Sequence, residues 1–389
     1  MDARFQLDPT VTFLNHGSFG ATPIAVLVAQ RAWQDRLEAE PVRFFLRELP
    51  PALAEVRARL GAFVGADPDD LALVTNASTG VSTVLRSLEF APGDELLTTD
   101  HEYNACKNAL DFVATRSGAR VVVVEIPFPI ADASEVTERL LRAVTPRTRL
   151  ALVDHVTSQT GLVFPIAEIV RALEARGVDT LVDGAHAPGM VPLDLRALGA
   201  AYYTGNCHKW LCTPKGAALL HVRRDRQEGI RPLVISHGAN APLDGRTRFR
   251  AEFDWCGTCD PSAWLTIPAA IDHLAALVPG GFSAVMRRNH ALALEARDLL
   301  CAALGVEAPA PDDMIGALAA IPLPDGEGVY APPLYLDALQ ERLWVEHRIE
   351  VPIIPWPRPP KRLVRVSAQL HNTRADYEKL ATALGSLLR

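Results

Sequence analysis

Between residues 71 and 222 the chain alternates short apolar runs with stretches of helical spacing. LALVT at 71–75, ELLTT at 95–99, RVVVVEI at 120–126, RLALVDH at 149–155, DTLVDG at 179–184 and AALLHV at 217–222 read as strands. Several are almost continuously apolar, the pattern of strands buried on both faces. Helical periodicity lies between them, clearest at 134–144 and 166–176. Strands alternating with helices predict βα units, right-handed crossovers and a mainly parallel sheet, with ligands at the strands' C-terminal ends. After about Pro261 the texture changes. Ala and Leu recur at helical spacing from Ala269 to Leu304, Pro-rich segments follow at 308–311 and 352–360, and two helical patterns remain at 333–347 and 374–388. This predicts a smaller α+β domain. The interleaved apolar residues make 352–360 a rigid loop rather than a disordered linker.

Composition narrows the class. A chain of 389 residues is too long for one simple core and suits two packed domains. With 49% hydrophobic and 22% charged residues it is globular, and a net charge of -7 leaves no basic footprint for nucleic acid. No apolar run reaches the roughly 18 residues a membrane span needs. Met1 to Pro9 carries charges and lacks the apolar stretch of a signal peptide, so a cytoplasmic protein is expected. The six cysteines fit that compartment as free thiols. Cys256 and Cys259 form a single C-x-x-C. No further pair of ligands stands at zinc-site spacing, so no metal is expected.

Three segments carry candidate chemistry. In YYTGNCHKW, 202–210, a short strand runs into His208 and Lys209. A lysine at a strand's C-terminal end can enter the cleft and form an imine with an aldehyde, although most lysines are surface charges. In LVDGAHAPG, 181–189, Asp183 closes an apolar strand and His186 follows three residues later. A carboxylate there is either a helix cap or the partner of a buried cation, for which a protonated pyridinium nitrogen qualifies. In LVTNASTGVSTVL, 73–85, a strand meets Asn-Ala-Ser-Thr-Gly and then a helix, which is an ordinary capped start or a phosphate site.

Taken in order, these segments resemble fold-type I pyridoxal 5'-phosphate (PLP) enzymes of the class V aminotransferase superfamily, over roughly residues 10 to 385. FLNHGSFGATP at 13–23, DHEYNA at 100–105, DHVTSQTG at 154–161 and RVSAQLHNT at 365–373 look like the isopenicillin N epimerase-like branch. The resemblance implies an α/β fold in three parts: an N-terminal segment, 1–20, over the active site; a large PLP-binding domain, 21–265; and a small C-terminal domain, 266–389. It implies Lys209 as the residue that carries PLP and Asp183 as the pyridinium partner, with His186 beside it. Ala77, Ser78, Asn206 and His208 would hold the phosphate or ring, His101 would stack on the pyridine, and Ser158 would lie near its hydroxyl. Thr258 would reach the phosphate of a neighbouring subunit, so a homodimer with shared active sites follows. Arg365 would grip the substrate carboxylate, with Asn15 and His16 in the segment over the cleft. Unaided, Arg365 in LVRVSA reads either as a carboxylate clamp or as a solvent-facing strand arginine.

Cysteine desulfurases of the superfamily use a cysteine shortly before that arginine. Residues 345–365 contain none, and the nearest upstream is Cys301, so a persulfide mechanism is not expected. Epimerisation, β-elimination of the C–S lyase type and transamination at an amino acid Cα all remain. Lys209 can serve one face of Cα, and Tyr103 or His101 the other, His101 only if stacking leaves its edge free. The branch signatures favour an epimerase. A non-enzymatic PLP-fold protein is the remaining class, disfavoured because Lys209 and Asp183 are both present.

Overall fold

Twelve strands organise the computed structural model, which describes residues 4–326 and 337–388. In chain order, β1 (Thr12–Phe13) lies in the N-terminal segment. Then β2 (Leu71–Val74), β3 (Glu95–Thr99), β4 (Arg120–Val124), β5 (Thr148–Asp154), β6 (Asp179–Asp183), β7 (Tyr202–Asn206) and β8 (Ala218–Val222) form one sheet. Further on come β9 (Leu318–Leu323), β10 (Ile349–Glu350), β11 (Ile353–Pro355) and β12 (Arg362–Ser367).

The large sheet has the spatial order β2-β8-β7-β6-β5-β3-β4. Only β8 runs against the others. The helices Ala77–Ser87, Asn104–Ser117, Ser134–Ala143 and Ile166–Glu174 follow β2, β3, β4 and β5. This is the α/β architecture with a mostly parallel central sheet that the alternating pattern predicts. Strands β6 and β7 sit mid-sheet and are buried almost throughout, as their apolar runs require. β4 departs from that expectation. Its run of four valines lies at the sheet edge, where no further strand covers it, and Val123 is exposed.

The C-terminal part holds the antiparallel sheet β11-β12-β9, packed on the helices Gly281–Leu304 and Arg374–Leu387. Two sequence expectations are corrected there. The helical run from 269 to 304 is two helices, Ile267–Ala276 and Gly281–Leu304; the stretch Ser262–Ala276 meets the second at a 70° bend. The break falls at Gly280 and Gly281, whose φ values of 98° and 71° stop the first helix from running on, so the second starts anew at Gly281. The segment 352–360 is not all loop, since β11 pairs with β12 from Ile353↔Val364 to Pro355↔Arg362. The helix expected over 333–347 is found at Ala338–His347, and 333–336 lies outside the described residues.

The N-terminal segment joins a third, two-stranded sheet and touches both the antiparallel sheet and the lysine turn. β1 pairs in parallel with β10, and Leu14 is fully buried in the core of the antiparallel sheet. Farther on, Gly20 adopts φ +72°, ψ 158°, a conformation essentially reserved for glycine, and a Cβ there would run into the carbonyl oxygen of His208. This contact seats the segment directly on the Lys209 turn. No single helix among the described residues is long and apolar enough to cross a membrane.

Candidate active site

Parallel register brings the ends of β5 and β6 together, with Asp154 opposite Asp183. Asp183 is 2% exposed. Its Oδ1 accepts from the Ala185 amide at 2.9 Å and its Oδ2 from the Cys106 thiol at 3.1 Å. Cys106 comes from the first turn of the helix after β3, and Glu102 from the turn before it. Ligand atoms of Glu102, Cys106 and Asp183 lie within 4.8 Å of one another. Both Glu102 oxygens and Asp154 Oδ2 are buried without a hydrogen bond among the described residues. Three carboxyls enclosed this closely cannot all be charged. Burial, then their mutual repulsion, pushes Glu102 and Asp154 well above the usual carboxylate range. Asp183 is raised by burial too, but Cys106, Ala185 and Lys209 all favour its anion.

Lys209 sits in the turn after β7. Its Nζ lies 3.1 Å from His186 Nε2, and His186 Nδ1 accepts from Trp210 Nε1 at 3.3 Å. Burial, followed by the positive charge of Arg365, lowers Lys209 to about 7, with Asp183 and Cys106 pulling the other way. His186 is 1% exposed and held well below its ordinary value, first by burial and then by Lys209. At the N-terminus of helix Ala77–Ser87, Asn76 Oδ1 caps the Thr79 amide and Asn206 Oδ1 accepts from the Ala77 amide, both at 2.8 Å. The last residue of β7 thereby fixes the start of that helix, with Ser78 at its second position. His208 turns its Nδ1 to Ala217 O at 3.0 Å. An amine of depressed pKa, a buried carboxylate on the far side and a helix N-terminus are the donor set for an aldehyde, a pyridinium nitrogen and a phosphate. The residues present fit PLP.

Arg365 resolves the ambiguity its strand left open. Val364 and Val366 face the core, and the arginine is itself buried, 3% exposed. It points into a cavity of about 610 Å³ lined also by Asn15, Ser18, Tyr103, Ser158 and Glu350. Its Nη1 donates to Ser158 O, its Nη2 to Ser18 Oγ at 3.1 Å, and its Nε has no partner among the described residues. No carboxylate among the described residues pairs with it. A buried, unneutralised guanidinium is costly unless an anion arrives; burial lowers it to about 10. Asn15 bridges Glu350 at 2.9 Å and Ser18 at 2.5 Å, so it lines the cavity as a support.

Two expectations change. His101 is fully buried, with Nδ1 2.7 Å from Thr160 Oγ1 and Nε2 3.0 Å from Ile126 O. Its ring packs edge-on to Trp356 at 4.4 Å. Both ring nitrogens are engaged, so it has no free edge for proton transfer, whereas Tyr103 is half exposed in the cavity with Arg365. His16, expected near substrate, is also fully buried. It spans Lys209 O, the Ala21 amide and His371, and ties the N-terminal segment to the lysine turn. Ser158 gains a partner the sequence did not suggest, Arg365. Thr258 lies outside the Arg365 cavity, in a largely apolar cavity of about 310 Å³ with Phe45 and Trp255, which Thr75 and Thr79 of the Asn76 turn also line. Ser18, Cys106, Trp210 and Glu102 were not anticipated as site residues. Ser18 in NHGSFG, Glu102 in DHEYNA and Trp210 in YYTGNCHKW stand inside motif segments and could have been; Cys106, just past DHEYNA, could not.

Comparison with known proteins adds the family. The family model described as aminotransferase class-V matches residues 42–380. The isopenicillin N epimerase of Amycolatopsis lactamdurans is 38% identical over 99% of this chain and 97% of its own. A probable chloroplastic L-cysteine desulfhydrase of Arabidopsis thaliana is 33% identical over 98% of this chain and 84% of its own. Among solved structures, a variant of C-DES with glycine covalently linked to the PLP cofactor has the same fold, with TM-score 0.79 at 23% identity over 97% of each chain.

Proposed function

From membership of the class-V aminotransferase family, to which this PLP-dependent chain belongs, we propose that it removes the Cα proton of an amino acid and returns a proton to the opposite face, as an epimerase. The observation that carries the reading is Arg365. It is a buried cation without an anionic partner among the described residues, in a cavity shared with Tyr103 and close enough to Lys209 to depress it. Such a group binds an α-carboxylate bidentately and fixes the substrate's orientation.

When bound, PLP stabilises the negative charge left at Cα as its proton departs. Asp183 would hold the pyridinium nitrogen, with hydrogen bonds from Cys106 and Ala185 favouring its anion against the effect of burial. Ala77, Ser78, Asn206 and His208 would hold the phosphate end, and His186, 3.1 Å from the Lys209 amine, would lie beside the ring. Lys209 Nζ takes the proton from one face of Cα; a group lowered to about 7 suits that exchange near neutral pH. Tyr103, on the cavity side, delivers a proton to the other face through its hydroxyl. Ser18 and Ser158 hold Arg365 in place. A homodimer is part of the same reading. Exposed Val42 and Leu46, and Leu233, Val234 and Ile235, are apolar surface near the cavity that contains Thr258.

β-Elimination is the second reading, favoured by the likeness to the cysteine desulfhydrase. One experiment separates them. The holoenzyme is incubated in deuterated water with L- and D-amino acids, including cysteine and cystine. Deuterium at Cα with inversion is expected. Pyruvate with released sulfide or thiol replaces the epimerase by a lyase, and an oxo acid formed only with an added amino acceptor replaces it by an aminotransferase. No Cα exchange with any amino acid rejects the whole reading.

A further inference from the structure

Resting on Lys209 as the base of the proposed reaction, we propose that Trp210 is a positioning residue that fixes His186 with its proton on Nε2, facing the lysine amine. An indole N–H can only donate. Trp210 Nε1 lies 3.3 Å from His186 Nδ1, so Nδ1 is the acceptor and carries no proton. The imidazole is fully enclosed, and Lys209, Arg365, His208 and His16 all oppose a positive charge on it. A neutral ring with a bare Nδ1 carries its hydrogen on Nε2. That atom is 3.1 Å from Lys209 Nζ, and an N–H can be accepted there only by a free amine. An ammonium would set hydrogen against hydrogen.

The indole therefore acts on the lysine through the histidine. Donation to the neutral amine stabilises it over the ammonium. The other groups facing Nζ divide: Asp183 and Cys106 favour the ammonium and Arg365 opposes it. Among these partners only the imidazole can reverse its role, by moving its proton to Nδ1 and accepting from Nζ instead. Trp210 blocks that reversal. It is fully buried and next to Lys209 in the chain, so backbone and indole cannot move independently.

The tautomer test uses the cofactor-free protein, in which the Lys209 amine is free, labelled with [15N]histidine, the His186 signals being assigned by their loss in His186→Gln; the pH profile below uses the holoenzyme. At pH 8 we expect the tautomer protonated on Nε2. A ring protonated on Nδ1, or on both nitrogens, overturns the proposal. In Trp210→Phe, which keeps the ring but not the donor, the acid limb of kcat against pH should move up by about one unit as the ammonium gains an acceptor. An unmoved limb in a folded, cofactor-bearing variant also overturns it. If that variant does not fold, the wild-type tautomer decides alone. Borohydride reduction and mass mapping separate this from failure of the functional reading, since a label on another lysine rejects Lys209 as the base whatever the tautomer.

Discussion

Buried charge decides most of what individual side chains can do here. Asp183 and Glu102 stand within 4.8 Å of each other, yet they have different surroundings. Asp183 accepts two hydrogen bonds and faces Lys209; Glu102 accepts none among the described residues. Glu102 is therefore expected to be the protonated member. Glu102→Gln, a neutral isostere, should leave the cofactor's visible absorbance and dissociation constant within about threefold of wild type, less than a kcal/mol. Asp183→Asn should bind cofactor yet lose roughly a hundredfold or more in turnover, the scale of a lost acid–base function. Equal losses in the two variants would show that Glu102 carries charge. For Lys209, only the free amine accepts a proton. Activity should therefore rise with pH through about 7, and a kcat profile flat from pH 6 to 8 would contradict that.

At the scale of elements, β3, β5, β6 and β7 deliver their ends to one edge of the sheet, and the N-terminal segment closes over the lysine turn. Gly20 is the pivot of that closure. Gly20→Ala should cost about 1–3 kcal/mol, the strain of forcing a side chain into that backbone conformation, and more if the His208 carbonyl must move. A urea titration gives the number, and cofactor loss should accompany it because His208 and Lys209 share the displaced turn. Unchanged stability would mean the segment does not rest on the turn.

For the whole molecule, the expectation is a second copy covering the apolar surface around Val42, Leu46 and Val234. Leu46→Asp combined with Val234→Asp should shift sedimentation from dimer to monomer. It should also weaken cofactor retention if Thr258 serves the neighbouring site. A wild-type monomer with full activity would remove both the dimer and the shared site.

The sequence alone determined what is local. Strand and helix identity follows from hydrophobic period, and the Asn76 cap, the Asp183 strand end and the Lys209 turn follow from short motifs. The order of those motifs led to the family and the cofactor. Tertiary structure decided what depends on distant partners. Trp210 meets His186 from 24 residues away, Cys106 meets Asp183 from 77, and Arg365 meets Ser18 from 347. Packing also buried His101 and His16 with both ring nitrogens engaged and sent Arg365 into the cavity rather than to solvent. It put the valine run of β4 at an edge. The physical reason is the same in each case. Periodicity reports which face of an element is apolar, whereas a polar side chain's role is set by what the fold places within hydrogen-bonding distance of it and by how much water that neighbourhood excludes.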